Sequence, residues 1–292
     1  MIKIQDFKIE TDLVPSPVKY SVLYPSDYEA TKENYSLMLL LHGGAGCQGF
    51  LKNNIRPLIQ NLWEKKIVPE MIFVTPHCDR SFYMDYRDGS QKWETFILNE
   101  LIPLLLENFR VFRDPNKLFL GGISMGGMGT LRMGFKYPDR FGVLLAFEPA
   151  IEPAIEWKDV KERDKFYRSK EVMETIFGSP FDEEYWKMNN PLYLALKNAE
   201  KIRKSEIKIY FEVGTEDMLG LYRGAEFLHR MLFDNEINHE YRQIFGADHI
   251  GPSLKERFTN GFLFLNRVIN NPKPDQEIVN NLSKIMLKRA KK

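Results

Sequence analysis

The stretch that most constrains this chain is Lys117 to Phe135, K-L-F-L-G-G-I-S-M-G-G-M-G-T-L-R-M-G-F. Leu118, Phe119 and Leu120 read as a short buried strand, and Met128, Leu131 and Phe135 recur at helical spacing, so a strand must turn sharply into a helix around Ser124. The turn, Gly122-Ile123-Ser124-Met125-Gly126, fits the pattern G-x-S-x-G. A serine hydroxyl attacks a carbonyl only if it stands clear of its own backbone, which requires a sharp turn and neighbours without bulk. The helix beginning after the serine aims unpaired N–H groups, that of Met125 first, at the place where negative charge would develop. The same glycines would also serve a plain strand-to-helix join, so the rest of the chain must supply a base, an acid and a second amide donor.

Composition decides little except by exclusion. The 292 residues are 43% hydrophobic and 28% charged, an ordinary globular mixture that a single α/β domain of this length accommodates. Forty-one basic against 40 acidic residues leave a formal charge of +1, so no bulk attraction to nucleic acid or an anionic membrane is expected. The N-terminal M-I-K-I-Q-D-F-K-I-E alternates like a strand and does not read as a signal peptide. No run of about 18 apolar residues predicts a membrane span. Cys47 and Cys78 read as free thiols, and a cytoplasmic protein is the expectation. No motif encodes an oligomeric state.

Along the chain, Val18 to Tyr24 alternates as an edge strand closed by Pro25. Ser36 to Leu41 is a continuous apolar run, the mark of a strand covered on both faces in a parallel sheet, and it runs into His42-Gly43-Gly44-Ala45-Gly46. Glycines there let main-chain amides approach a ligand, which points to Gly44, with Ala45 the alternative, as the second half of an oxyanion hole. A helix is expected over Asn54 to Lys65, a strand over Met71 to Thr75, and an amphipathic helix over Trp93 to Phe109. Between the last two, Ser81 to Gly89 is an aromatic and charged loop whose Phe82, Tyr83 and Tyr86 are candidates for a pocket wall. Phe141 to Phe147 is the next buried strand and ends at Glu148.

Residues 151–205 break the alternation of strand and helix. This charged segment carries Trp157, Phe166, Tyr167, Phe177, Tyr185, Trp186 and Met188, and reads either as a lid over the site, with Trp186 reaching the pocket, or as a surface insert. Strands are then expected at Glu206 to Val213 and His239 to Phe245, with helices at Tyr222 to Asn235 and Ser253 to Ile269. A helical tail with a lysine-rich end follows over 270–292. The expected fold is α/β: one domain over 1–292, with a mostly parallel central sheet flanked by helices and the insert following the sixth core strand.

Ser124, Asp217 and His249 each fall just past the carboxyl end of an expected strand, where ligands bind in such sheets. They occur in the order Ser, Asp, His, separated by 93 and 32 residues. His249 would accept the Ser124 proton while Asp217 fixes its tautomer. His42, His77, His229 and His239 sit at turns, inside a helix or at a strand start, where a lone histidine is usually structural. Glu216 should point away from the site and Asp248 is too close in sequence to reach the His249 ring. Glu148 is the rival acid, or else part of the pocket wall.

These residues together resemble the α/β-hydrolase superfamily. Within it the chain resembles the esterase family that includes the esterase D type S-formylglutathione hydrolases, feruloyl and acetyl esterases, and mycolyltransferases. The resemblance rests on Leu40 to Gly44, on Ser81 to Tyr83 with Lys92 to Phe96, on the elbow Gly122 to Gly127, on Gly214 to Asp217, and on Asp248-His249. It implies cleavage of carboxylic or thiol esters in a small-molecule substrate through an acyl-serine intermediate, with no metal or organic cofactor. The chain departs from the pattern at Ile250-Gly251, where relatives often carry serine and an aromatic, and at Glu148, where they have a small residue. Two other activities fit the same scaffold: a non-catalytic ligand-binding protein, and acyl transfer to an alcohol.

Overall fold

The computed structural model describes residues 2–165, 168–271 and 275–290. Eight strands form one sheet in the order β1-β2-β4-β3-β5-β6-β7-β8: β1 (Ile4–Ile9), β2 (Val18–Leu23), β3 (Leu37–Leu41), β4 (Ile72–Pro76), β5 (Leu118–Ile123), β6 (Val143–Phe147), β7 (Lys208–Gly214) and β8 (Glu240–Ile244). The last six run parallel, while β1 pairs antiparallel with β2 and β2 antiparallel with β4. The apolar runs of β3, β5 and β6 are buried on both faces, as parallel pairing under helices requires.

Because side chains alternate across a strand, each strand feeds two cores. Leu37, Leu39 and Leu41 of β3 enter one core and Met38 and Leu40 the other. The helices on the second face are α1 (Arg56–Glu64), entered through the π-turn Leu51–Ile55, and α10 (Leu254–Ile269), which contributes Phe258, Phe262 and Leu265. On the first face lie α2 (Trp93–Phe96) and α3 (Ile102–Asn108), joined by the π-turn Ile97–Leu101, together with α4 (Met125–Lys136) and α9 (Tyr222–Asp234).

One strand differs from its sequence reading. Val18–Leu23 is not an edge: β1 takes the edge, and β2 lies between β1 and β4 with all its side chains buried except Lys19. The alternating N-terminus covers the hydrogen-bonding edge that β2 would otherwise present to water.

Among the described residues of 151–205 are the short α-helices α5 (Lys170–Phe177), α6 (Glu183–Met188), α7 (Pro191–Lys197) and α8 (Ala199–Ser205). Hydrogen bonds stitch them to neighbouring elements: Tyr185 Oη donates to the Asp85 carbonyl (2.7 Å), Asn190 Nδ2 to the Ala154 carbonyl (2.7 Å) and the Arg87 amide to the Ile176 carbonyl (2.9 Å). Phe166 and Tyr167, two aromatics of the segment, lie outside the described residues. The tail forms α11 (Gln276–Ala290), on which Ile278, Leu282 and Met286 are exposed; Lys291 and Lys292 lie outside the described residues.

Candidate active site

The elbow is tight because glycine occupies every close approach. A Cβ on Gly122 would lie 2.4 Å from the Gly126 carbonyl oxygen, and one on Gly126 only 2.2 Å from that of Leu41 in β3. With those side chains missing, α4 starts directly over the ends of β5 and β3. Ser124, between β5 and α4, has φ 56 and ψ −115, a conformation that costs on the order of 1–3 kcal/mol and holds only where its surroundings enforce it. Three main-chain bonds do so: Ser124 N–H donates to Phe147 (2.8 Å), and its carbonyl accepts from Met128 (2.9 Å) and Ala150 (3.1 Å).

The Ser124 hydroxyl thereby faces His249, with Oγ 3.1 Å from Nε2, and His249 Nδ1 lies 3.1 Å from Oδ2 of Asp217. The structure brings these three residues into one row. Asp217 is locked by the Leu219 amide, which donates to its Oδ1 at 2.6 Å. Burial alone would raise the Asp217 carboxyl, but its hydrogen bond with His249 and the histidine's charge, helped by the Leu219 amide, hold it below its ordinary value. Glu216 is exposed, and Asp248 Oδ1 accepts from the Gly251 amide (2.7 Å), so neither serves the imidazole.

The loop after β3 is held by His42, which is fully buried. Its Nε2 accepts from the Cys78 amide (3.0 Å), its Nδ1 bonds the Gly43 carbonyl (2.7 Å), and its own carbonyl accepts from Tyr83 Oη (2.8 Å). Burial pushes the His42 imidazole down to about 4, so it stands neutral, a bracket for the glycine loop. Neither the Gly44 nor the Ala45 amide has a hydrogen-bond acceptor among the described residues. Those amides and the first amides of α4, Met125 foremost, border the Ser124 side of one cleft. The remaining histidines are occupied elsewhere: His77 pairs with Asp79 (2.9 Å) and His229 with His239 (2.8 Å).

The cleft encloses about 680 Å³, with Ser124 and His249 on its floor, Phe50, Phe82, Ile123 and Leu254 giving it apolar walls, and Asn54 and Arg80 at its polar side. Three side chains expected on that wall are elsewhere. Tyr83 is fully buried, its ring under Gly129 of α4, where a Cβ would come within 2.8 Å of it. Trp186 is buried in the insert against Trp157 (ring centroids 5.2 Å apart), and no described residue of 151–205 lines the cleft. Glu148 is fully buried behind Asp217, sealed from the cleft. Of the three aromatics that the loop offered, Phe82 is the one on the wall, with the Arg168 guanidinium stacked on it at 4.3 Å, while Tyr83 and Tyr86 are not among the residues lining the cleft.

Sequence reasoning missed two buried arginines. Arg132 of α4 forms an ion pair with buried Glu94 of α2, while Nη2 donates to the Tyr83 carbonyl (2.5 Å) and Nη1 to Asn189 (3.0 Å), tying the elbow helix to the loop beside the cleft. Arg257 of α10 pairs with Glu148, lies 3.6 Å from Glu212, and donates to the Asp248 (2.8 Å) and His249 (3.1 Å) carbonyls, fixing the histidine loop from below. Nothing in local sequence marks either, because each partner lies on a distant element.

Residues 12–252 match the family model described as "Putative esterase". An acetyl esterase of Caldicellulosiruptor saccharolyticus is 31% identical over 124 residues, covering 42% of this chain and 44% of that protein. An esterase of Mycobacterium tuberculosis is 28% identical over 138 residues, 46% of this chain and 30% of that one. The chain thus spans less than half the length of these curated relatives. Among solved structures, a ferulic acid esterase superposes with a TM-score of 0.74 at 21% identity, over 91% of this chain and 99% of that one. An S-formylglutathione hydrolase of Agrobacterium tumefaciens does so at 0.68 and 18%, over 89% and 95%. At these identities the likeness establishes the α/β-hydrolase fold.

Proposed function

This chain belongs to the esterase family whose model it matches over most of its length, and from that premise we propose that it is a serine hydrolase of carboxylic or thiol esters. The observation that carries the reading is the unbroken row from Ser124 Oγ through the His249 imidazole to the Asp217 carboxylate. His249 Nε2 takes the hydroxyl proton as Ser124 Oγ attacks the ester carbonyl, and Asp217 stabilises the imidazolium that forms. The Met125 and Gly44 amides face the oxygen that gains negative charge and stabilise it without reorganising, because the elbow and the His42 bracket already hold them in place. Collapse expels the alcohol or thiol, protonated by His249, and leaves an acyl group on Ser124. Water, deprotonated by the same imidazole, then attacks the acyl carbon and releases the acid.

The apolar walls of the cleft favour an acyl group without charge, and acetyl and feruloyl esters, named for the relatives, are the first substrates to try. The test is turnover of p-nitrophenyl acetate by the wild type and by Ser124→Ala. The variant should lose several orders of magnitude in kcat, keeping only what binding and the amide donors supply. Undiminished turnover in the variant would remove Ser124 from the reaction.

A further inference from the structure

Behind the row lies a second layer that the reaction as described does not use: Glu148 at the end of β6, Glu212 on β7 and Arg257 on α10, all essentially without solvent exposure. Glu148 sits at a positive φ of 45, held by its amide bond to the Glu212 carbonyl (2.9 Å), and its side chain turns inward. Its Oε1 accepts from the Gly214 amide (2.8 Å) and from Arg257 Nη1. Its other oxygen, Oε2, is buried with no protein donor available to it. A carboxyl oxygen of Glu148, one of Asp217 and a ring nitrogen of His249 all lie within 4.8 Å of one another.

Two carboxyl groups meeting in a dry site cannot both be ionised, so one holds a proton between them. Asp217 accepts from Leu219 on one oxygen and faces His249 with the other, the pattern of a carboxylate. Glu148 has the oxygen that lacks a donor, and a proton there turns an orphan acceptor into a donor aimed at Asp217. We propose that Glu148 is a positioning residue, a neutral carboxyl group whose Oε2–H donates to Asp217 and fixes the carboxylate against His249. The proton stays on Glu148 throughout. The proposal rests on the reading of Ser124, His249 and Asp217 as the reacting row.

The groups facing Glu148 agree on balance. Burial and the Asp217 carboxylate push it up to about 10; Arg257 pulls the other way, while Glu212 adds to the rise. Arg257 divides itself among Glu148, Glu212 and two carbonyls, so it does not ionise Glu148 outright. Glu212 is itself raised to about 7 by burial, against the pull of Arg257 and Arg242. Tyr241 on β8, which also faces this layer, is raised mainly by burial and next by Glu226. The donated bond draws charge from Asp217, so it moderates how strongly Asp217 favours the imidazolium. Its loss should make His249 more basic and Asp217 looser.

Glu148→Gln and Glu148→Met separate this from a merely structural role. Glutamine presents an acceptor to Gly214 and Arg257 and an N–H to Asp217, as the neutral acid does; methionine fills the space and donates nothing. The His249 ring is titrated by NMR in wild type and both variants, alongside the pH profile of kcat/KM for p-nitrophenyl acetate. Expected is an upward move of the His249 midpoint, and of the acidic limb, of about one pH unit in Glu148→Met alone. Its kcat should fall at least about tenfold, the loss of a hydrogen bond to a charged group, with KM little changed, while Glu148→Gln keeps wild-type values. Equal behaviour of the two variants, or an unmoved His249 midpoint in Glu148→Met, overturns the proposal. Should Glu148→Met not fold, the wild type decides: the Glu148 side-chain carboxyl carbon should resonate as a neutral acid at pH 7, and a carboxylate signal overturns the proposal. The NMR readings do not need turnover. Midpoints that behave as described in a protein whose Ser124→Ala variant still hydrolyses esters would sink the reacting row and leave the carboxyl pair standing.

Discussion

Replacing Gly126 by alanine should slow ester cleavage about a hundredfold while leaving the fold in place. An alanine Cβ there would lie 2.2 Å from the Leu41 carbonyl oxygen, 2.6 Å from its carbon and 2.8 Å from the His42 carbonyl oxygen. Ordinary contact begins at 3.4 Å, so the start of α4 and the end of β3 must part by about 1 Å. Every obstructing atom is main chain, and β3 is hydrogen-bonded on both sides, to β4 and β5, so no rotamer change absorbs the clash. The gap opens between Met125 and Gly44, the two amides proposed to converge on one oxygen. A misplacement of about 1 Å costs on the order of 10²-fold in rate. Gly134→Ala is the control: its Cβ would meet the Leu144 side chain at 2.2 Å, one helix length from Ser124. It should lower stability by about 1–3 kcal/mol and spare kcat. Both variants are assayed for p-nitrophenyl acetate turnover and thermal unfolding. Gly126→Ala turnover within about threefold of wild type, with unchanged melting, would refute the claim that convergence of these amides sets the rate.

Three further outcomes follow from the buried groups. The unfolded His42 takes a proton at its ordinary 6.5 and the folded one only near 4. Between those values the unfolded chain binds more protons, so stability should fall as pH drops through that window, by on the order of 3 kcal/mol; urea titrations from pH 7 to 4 should show a flatter decline in His42→Gln. Arg132→Met should cost about 3–5 kcal/mol in denaturant unfolding, because the buried Glu94 charge loses its guanidinium partner and keeps Lys136 (2.6 Å) and the Tyr137 hydroxyl (2.8 Å). Adding Glu94→Leu should recover part of that loss; no recovery would mean that Arg132 acts through its bonds to Tyr83 and Asn189 instead. Phe82→Ala should raise KM for aryl esters more than for methyl esters, since it removes one of the two aromatic rings, Phe50 and Phe82, on the walls of the cleft; equal effects on both would place the acyl or alcohol group elsewhere.

The parallel core was legible because its strands are buried on both faces, so Ser36 to Leu41 and Phe141 to Phe147 stand out as apolar runs. At β2 the alternation misled: a strand pattern tells which residues are strand but not which neighbour covers the edge. β7 hides more. Its E-I-K-I-Y-F-E-V alternates like a half-solvated strand, yet from Ile209 onward it is buried, because Glu212 is turned inward toward Arg257. In the candidate site, the meeting of Ser124, Asp217 and His249 could be anticipated since each follows a strand end in a fixed order. The place of Glu148 could not, because its arginine partner is 109 residues away and a buried carboxyl reads locally like a surface one. Tyr83 and Trp186 fail for a related reason: an aromatic side chain fills a core as readily as a pocket, and only packing decides.

The most direct measurement is to trap the intermediate. Protein mixed with p-nitrophenyl acetate, quenched in acid within the first turnover and digested for mass spectrometry, should carry an acetyl group on the peptide containing Ser124, and should lose it after longer incubation. His249→Ala should acylate far more slowly. Acetyl found on another residue, or steady ester turnover with Ser124 never modified, would contradict the account.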